Sequence, residues 1–292
     1  MGDAVLMFGI GATKAGTSWL FSYLEGHPEC SMPPIKELGY FGLTQDKDYN
    51  WRIKKTRELV KELSEKLEWI APEKEQAMKQ RINTLRRWKK VLRQHDDGAV
   101  AYTEFMMREV EGAKLIADIT PAYSMLPVSR LKQMAGLVAQ TRFVYILRDP
   151  VDRLWSNIRM NAQRKSDNPE LMRGYALAEV DEVLNGKHSQ AYVRSDYAGG
   201  LETLEQAVPA NKRKVLFYET LFSDDTIRDL CAFLGLSNHA ARLNKRIHEG
   251  VPIKLDIARR NGLKKLLAPQ YHAVEKRFQT LPAAWQDNMA RV

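Results

Sequence analysis

A glycine-rich turn between an apolar run and an amphipathic segment constrains this fold more than any other feature of the sequence. Val5–Ile10 is continuously apolar and predicts a short buried strand. The turn after it has the sequence Gly11-Ala-Thr-Lys14-Ala-Gly16-Thr17-Ser18-Trp19, and the apolar spacing within Thr17–Glu25 predicts a helix. A helix that starts at such a turn presents unpaired N–H groups and the positive end of its dipole, and glycines let an anion approach the backbone. This segment, the phosphate loop, therefore predicts a phosphate or sulfate site.

The remainder of the chain continues the alternation of strands and helices. Further strands are predicted at 114–119, 143–147 and 215–218, and helices at about 127–138, 150–164, 171–185, 193–207, 224–235 and 258–280. This order predicts an α/β fold with a P-loop-like central parallel sheet of about four to five strands flanked by helices. Residues 52–69 and 73–94 are two consecutive helical segments, separated at Pro72. We therefore expect one domain over residues 1–292 with a helical insertion at about 51–95.

Positive charge is concentrated in two parts of the chain. The net charge is +9, and residues 51–95 carry 14 Lys or Arg against six Asp or Glu. Residues 251–292 carry eight against three. The excess indicates either an anionic partner or helix faces that the cations keep solvated. A nucleic-acid partner is not expected, because the insertion matches no docking motif and lacks interleaved aromatic residues.

The position of Lys14 distinguishes the loop from that of a nucleoside triphosphatase. A Walker A loop places lysine directly after its second glycine, and then a Ser or Thr for Mg²⁺. Here Thr17 follows Gly16, and Lys14 lies inside the turn. A kinase also needs acidic ligands for Mg²⁺, for which Asp118 and Asp149 are the only candidates after the later strands. A P-loop kinase or NTPase is thus one alternative and a non-catalytic nucleotide- or sulfate-binding module another, and we expect no metal.

A second candidate site follows the strand at 143–147. Its sequence is Arg148-Asp-Pro150-Val-Asp152-Arg153-Leu-Trp-Ser156. Pro150 suits the first position of a helix, and Arg148 stands at the carboxyl end of a strand, where α/β sheets bind ligands. Arg148 and Ser156 suit a phosphate held from two sides, by a fork of N–H donors and by a hydroxyl. The alternative is structural: Arg148 pairs with Asp152, and Ser156 packs on the sheet.

Together the two motifs resemble those of the sulfotransferases that use 3′-phosphoadenosine 5′-phosphosulfate (PAPS). Gly11–Trp19 resembles their 5′-phosphosulfate loop, and Arg148–Ser156 resembles their 3′-phosphate motif. Lys36-Glu37-Leu-Gly-Tyr40-Phe41 and Asp118-Ile-Thr120-Pro121-Ala-Tyr123 are similar to stretches of the carbohydrate, heparan-sulfate-type branch. The resemblance implies a soluble, bacterial-like enzyme that transfers a sulfuryl group from PAPS to an acceptor hydroxyl or amine and releases PAP. The expected acceptor is a carbohydrate or glycolipid, or alternatively a small metabolite.

The resemblance also implies a role for each matching residue. Lys14 would contact the bridging oxygen of the donor and stabilise charge on the leaving group, while Arg148 and Ser156 would hold the 3′-phosphate. Four residues would hold the 5′-phosphate through their backbone N–H groups: Ala15, Gly16, Thr17 and Ser18. Trp19 would stack near the adenine. The segment from Asn244-Lys245-Arg246 to Lys254 takes the place of the family's C-terminal nucleotide loop, with Arg246 as the expected contact.

Glu37 is the general base that the resemblance implies. Such a base must lie within hydrogen-bond reach of the acceptor, and we expect partial burial among the flanking apolar residues to raise its pKa. Asp118 and His27 are rival bases, although a His-Pro turn is more often structural. The alternative for Glu37 is a loop carboxylate paired with Lys36.

The acceptor half departs from the family pattern at Ile119, where the carbohydrate branch has a lysine near its acceptor. The insertion follows Glu37 in sequence, so we expect it to cover the cleft as a lid. Four cations on it would attract an anionic acceptor, such as an acidic glycan or a lipid-linked glycan: Arg86, Arg87, Lys89 and Lys90.

The remaining expectations concern compartment and assembly. Cys30 and Cys231 are far apart and match neither a disulfide framework nor a metal-ligand spacing, so we expect two reduced thiols. The N-terminus lacks a signal-peptide pattern, and the run Ala4–Ile10 is too short to span a bilayer. We therefore expect a cytoplasmic protein without a transmembrane segment, and the oligomeric state stays open.

Overall fold

The computed structural model describes residues 4–33, 35–94, 96, 98–108, 112–241 and 252–289. The strands in these residues are β1 Val5–Gly11, β2 Cys30–Ser31, β3 Leu115–Ile119, β4 Thr141–Leu147 and β5 Arg213–Phe217. The helices are α1 Thr17–Glu25, α2 Asp46–Lys66, α3 Pro72–Gln94, α4 Val100–Arg108, α5 Val128–Ala135, α6 Pro150–Lys165, α7 Pro169–Leu184, α8 Gln190–Val193, α9 Tyr197–Ala207, α10 Tyr218–Leu221, α11 Asp224–Leu234, α12 Ile257–Glu275 and α13 Ala283–Met289.

The strands form one five-stranded sheet in the order β2-β3-β1-β4-β5, and every pair is parallel. All seven residues of β1 are buried, as expected for the middle of a sheet that helices cover on both faces. The predicted α/β class is confirmed. The chain adds β2 and β3 on one side of β1 and then β4 and β5 on the other. The crevice beyond β1 and β4 is therefore the topological switch point, where open α/β sheets bind ligands.

The element boundaries show where local pattern was insufficient. The helix predicted at 193–207 begins only at Tyr197, as α9, because Asp196 caps it by accepting a hydrogen bond from the N–H of Gly199 at 2.9 Å. The short helix α8 ends at Val193, where the predicted helix begins. The strand β2, the helix α4 and the helix α13 were not predicted. The two-residue strand β2 is too short to show a hydrophobic period.

The helical insertion consists of α2 and α3, which pack against each other. Three residues form a small apolar cluster between them: Leu63, Ile82 and Leu85. Trp88 and Leu92 of α3 join the main core, and Tyr49 and Ile53 of α2 pack against it, so both helices are attached to the α/β body. The helix α3 begins at Pro72, as predicted, whereas α2 begins at Asp46, before the predicted start of the insertion. A capping box between Gln45 and Asp48 accounts for this earlier start.

No helix in the described part of the chain is long and apolar enough to cross a lipid bilayer.

Candidate active site at the carboxyl edge of the sheet

The phosphate loop leaves the central strand β1 and opens α1 in a conformation that its glycine makes possible. Gly16 has φ 90°, and a Cβ there would lie 3.0 Å from Tyr218 Cδ2 and 3.1 Å from Leu221 Cδ2, so only glycine fits. Lys14 also lies in the left-handed region, with φ 72°. A non-glycine residue in that region is strained, and such strain clusters at functional sites.

The N-terminus of α1 has free backbone donors. No side chain caps this helix, and in the described part of the chain no acceptor receives the N–H groups of Gly16, Thr17 or Ser18. Ala15 differs, because its N–H donates to the Ala12 carbonyl at 3.1 Å. Three of the four predicted amides are thus available to an anion, and that of Ala15 already has a partner within the turn.

Arg148 is bound directly to the loop. Its Nη1 donates to the Lys14 carbonyl at 3.1 Å, and its guanidinium lies 4.6 Å from the ring centroid of Tyr218. Its backbone is held by Tyr197, whose hydroxyl accepts from the Arg148 N–H at 3.2 Å and donates to the Arg148 carbonyl at 2.8 Å. The predicted alternative, an ion pair with Asp152, is not formed, since Asp152 pairs with Arg260 at 2.9 Å.

The loop is strongly electropositive. Burial, followed by the nearby charge of Arg148, lowers the pKa of Lys14. Three further cations act on Lys14 in the same direction: Arg159, Arg164 and Lys36. A group with several negative charges would relieve this repulsion, so the site suits a polyanion.

Ser156 lies on α6, which starts two residues after Arg148. Its side chain is buried, with 8 % exposure. The neighbouring Trp155 donates from Nε1 to the Ile253 carbonyl at 3.1 Å. The predicted C-terminal nucleotide loop therefore ends beside the helix that carries Ser156. Arg246 and the rest of residues 242–251 lie outside the described residues.

Lys36 connects the phosphate loop with the predicted base. Its Nζ donates to Ser18 Oγ, and it lies 3.9 Å from Glu37 Oε1. Glu37 has φ 61°, and its side chain is 50 % exposed. The expected burial of Glu37 is wrong: the flanking residues Leu38, Tyr40 and Phe41 turn into the core. The predicted pairing with Lys36 is present, and it places the carboxylate next to the anion site.

Asp118, a rival base, is enclosed in the interior. It is fully buried and accepts hydrogen bonds from Tyr102 at 3.0 Å, Tyr123 at 2.8 Å and Thr120 at 2.7 Å. Burial raises its pKa, and the three hydroxyl donors oppose that effect. The Thr120 hydroxyl also accepts from the Gly39 N–H at 3.1 Å. Asp118 therefore supports the loop that carries Glu37.

His27, the other rival, uses both of its ring nitrogens in structural contacts. Nε2 lies 3.0 Å from the Ser237 carbonyl, and Nδ1 accepts from the Glu29 N–H at 3.2 Å. The side chain is 2 % exposed. This geometry matches the structural role that a His-Pro turn predicts.

Asp149, a candidate Mg²⁺ ligand in the NTPase alternative, is part of a buried network. Its Oδ1 caps α6 through the Asp152 N–H, and its Oδ2 accepts from Tyr271 and Asn288, both at 2.7 Å. Its own N–H donates to Glu219 at 2.8 Å. Burial raises the pKa of Asp149. Within the described residues, no group of three or more His, Cys, Asp or Glu side chains is placed to hold a metal ion.

Trp19 lies within the first turn of α1. Its ring is stacked on Tyr23 with centroids 5.6 Å apart and meets Phe222 edge-on at 5.2 Å. Only 5 % of the side chain is exposed. Trp19 thus forms part of the wall beneath the loop, with little of its ring surface open to a ligand.

Comparison with solved structures agrees with this fold. The chain is similar to a sulfotransferase from Alicyclobacillus acidocaldarius, with 22% identity and a TM-score of 0.63 over 96% of this chain and 98% of that one. It is also similar to the sulfotransferase domain of the olefin synthase of Synechococcus PCC 7002, with 21% identity and a TM-score of 0.51 over 99% and 92% of the two chains. No curated protein sequence matches significantly.

A sequence profile of one protein family covers most of the chain. The profile described as "Sulfotransferase family" matches residues 7–240. This range contains the phosphate loop, Glu37, Arg148 and Ser156. The chain therefore belongs to the sulfotransferase family and is a sulfotransferase.

Proposed function

We propose that this enzyme takes the sulfuryl group from PAPS and transfers it to an acceptor hydroxyl. The observation that carries the proposal is the phosphate loop, in which the uncapped N-terminus of α1 and Lys14 lie beside Arg148. Such a loop suits a donor with a charged group at its 5′ end and a second phosphate within reach of an arginine.

The loop supports an in-line transfer in which negative charge develops on the leaving phosphate oxygen. Lys14 would contact that oxygen, and the open N–H groups of Gly16, Thr17 and Ser18 would hold the 5′-phosphate. These donors are fixed before the reaction, so they stabilise the developing charge without reorganisation. Arg148 and Ser156 would hold the 3′-phosphate, together with Arg246 from the C-terminal segment.

Glu37 is the proposed general base. It is the one member of the three candidates whose side chain is accessible, since Asp118 and His27 are buried and engaged in structural hydrogen bonds. Lys36 holds it near the phosphate loop through Ser18. A carboxylate there can accept the acceptor's proton as the sulfuryl group arrives.

The acceptor is proposed to be an anionic glycan, free or lipid-linked, on two grounds. The stretches at Lys36 and Asp118 resemble the carbohydrate branch. The insertion carries four cations at 86–90, of which two are exposed and two half-buried: Arg86 and Lys90, and Arg87 and Lys89. Ile119, where that branch has lysine, is buried and contacts the backbone of β1 at Gly9, so it is a core residue here. Any attraction for the acceptor must therefore come from elsewhere, such as the cations at 86–90.

The experiment is a transfer assay with PAPS and a panel of neutral and acidic glycans, in which PAP and the sulfated product are both quantified. The proposal expects PAP and sulfated product in equal amounts, with acidic glycans preferred. A variant that removes the charges of Arg86, Arg87, Lys89 and Lys90 tests the acceptor part. Unchanged turnover across salt concentrations in that variant would contradict it, whereas ATP-dependent phosphorylation in place of sulfation would contradict the donor.

A further inference from the structure

Arg153 is a buried charged side chain beneath the phosphate loop, and none of the roles above uses it. It lies on α6 and is 0 % exposed. Its Nη2 donates to the Ala191 carbonyl and to Ser195 Oγ, both at 2.5 Å. Its Nη1 reaches the Thr13 carbonyl at 3.5 Å. The guanidinium thus connects α6, the α8 region and the phosphate loop.

The positive charge of Arg153 has no counter-ion in the described part of the chain. No described carboxylate forms an ion pair with it, and its Nε has no hydrogen-bond partner there. The phenol groups of Tyr197 and Tyr145 lie near it, as do two further cations, Arg194 and Arg148, whose weaker effect on its pKa is in the opposite direction. Burial lowers its pKa to about 10, which still leaves it protonated at neutral pH. A buried cation surrounded only by neutral dipoles is unfavourable unless another charge compensates it.

The loop above Arg153 is where a compensating anion would bind. Two consecutive loop carbonyls accept from arginines, that of Thr13 from Arg153 and that of Lys14 from Arg148. The strained backbone at Lys14 is therefore held by two guanidinium groups. The open N–H groups at the start of α1 belong to the same turn.

We propose that Arg153 is a positioning residue of the donor site, and that its missing counter-ion is the phosphosulfate or phosphate group bound on the loop. The inference rests on the proposed function, because it requires a nucleotide anion there. Arg153 fixes the Thr13 carbonyl and with it the turn at Lys14. Its charge acts strongly because it lies in a medium of low dielectric constant. The coupling is reciprocal, so a bound anion also removes a penalty of the unliganded fold.

The test compares Arg153→Met, which keeps the length but removes the charge, with Arg153→Lys, which keeps the charge. For each we measure the thermal midpoint without ligand and the affinity for PAP by calorimetry. We expect R153M to bind PAP at least about tenfold more weakly. Its midpoint without ligand should change little, because the loss of an uncompensated buried charge offsets the loss of the hydrogen bonds that Arg153 donates. R153K should recover part of the affinity. Arg142→Met is the matched control, because Arg142 lies at the amino end of β4, away from the phosphate loop. It should leave PAP affinity unchanged.

A lowered midpoint with unchanged PAP affinity in R153M would show a merely structural role and overturn the inference. If R153M does not fold, R153K decides in the same way: weaker PAP binding supports the inference, and wild-type affinity contradicts it. If the wild type does not bind PAP, the proposed donor fails, and inorganic pyrophosphate then tests Arg153 separately. If pyrophosphate raises the thermal midpoint of the wild type but not that of the variant, the inference is supported. If pyrophosphate does not raise the midpoint of the wild type, the inference is overturned.

Discussion

Exchanging Glu37 and Asp118 one at a time should separate the general base from the residue that supports its loop. Glu37→Gln removes a half-exposed carboxylate whose partner Lys36 is 3.9 Å away. Exposed pairs of this kind contribute about 0–1 kcal/mol, so the free energy of unfolding should hardly change. Loss of a general base costs about 10²- to 10⁴-fold in rate. We therefore expect E37Q to lose turnover by that factor while it binds PAP like the wild type.

Asp118→Asn should give the opposite result. The carboxylate accepts three buried hydroxyl bonds, and an amide can accept on only one of its two terminal atoms. At least one hydroxyl then lacks its acceptor, and the other bonds lose the assistance of the charge. Bonds to charged groups contribute about 1.5–3 kcal/mol each, so the loss of stability should be about 2–4 kcal/mol. The folded fraction should keep most of its turnover, since Glu37 is still present.

The assay for this pair combines urea unfolding, PAP calorimetry and turnover with PAPS at a temperature where both variants are folded. Tyr123→Phe is a matched control for D118N, because it removes one of the three donors and leaves the carboxylate. It should cost stability in the same direction and by less. Full turnover in E37Q, or abolished turnover in a stable, PAP-binding D118N, would refute the assignment of the base.

Four further outcomes follow from the site. Lys14→Ala should lower turnover by about 10²-fold or more, because it removes a fixed cation from the leaving group; a near-normal kcat would exclude that role. Arg148→Ala should weaken PAP binding much more than AMP binding, as measured by calorimetry, and an equal loss for both nucleotides would exclude a 3′-phosphate contact. Because the folded-state pKa of Lys14 is lowered from 10.5, PAP affinity should decline as the pH rises through the alkaline range below that value, and K14M should lack this decline; a wild-type affinity that is flat to pH 10.5 would contradict it. The folded-state pKa of Asp149 is raised above 3.8, so its contribution to stability is fully present below that pH and is lost as the pH rises through the folded-state pKa. The unfolding free energy of the wild type, relative to that of Asp149→Asn, should therefore fall as the pH rises from about 4 to 7. A rise in this difference would contradict the raised pKa.

The middle of the parallel sheet could be predicted because β1, β3 and β4 are buried almost throughout and are mostly apolar. The start of α6 could be predicted for a similar local reason, since Pro150 marks a first helical turn. The start of α9 at Tyr197 could not be predicted, because it depends on one capping interaction of Asp196. The strand β2 depends on contacts with distant β3, which no local pattern records.

In the active site, the residue types of the phosphate loop predicted an open helix N-terminus, and the structure has one. The roles of Asp118 and Arg153 could not be derived in this way. Asp118 is enclosed by hydroxyl groups from segments that meet only in the fold. That Arg153 pairs with no carboxylate of the described residues depends on what packs around α6. The sequence does contain one signal for a buried Arg153: it lies five residues after Arg148, on the otherwise mostly apolar face of the predicted helix. Burial of Glu37 was predicted from its neighbours and is wrong, because those neighbours turn into the core.

Calorimetric comparison of PAP, AMP and ATP with Mg²⁺ as ligands of the wild-type protein tests the central claim most directly. PAP and AMP differ only in the 3′-phosphate. Two charged contacts to it, from Arg148 and Ser156, at about 1.5–3 kcal/mol each, correspond to a preference for PAP of at least about 10²-fold. We predict that preference, with ATP and Mg²⁺ weaker than PAP. Equal affinity for PAP and AMP, or tighter binding of ATP with Mg²⁺, would contradict the proposal that PAPS is the sulfuryl donor.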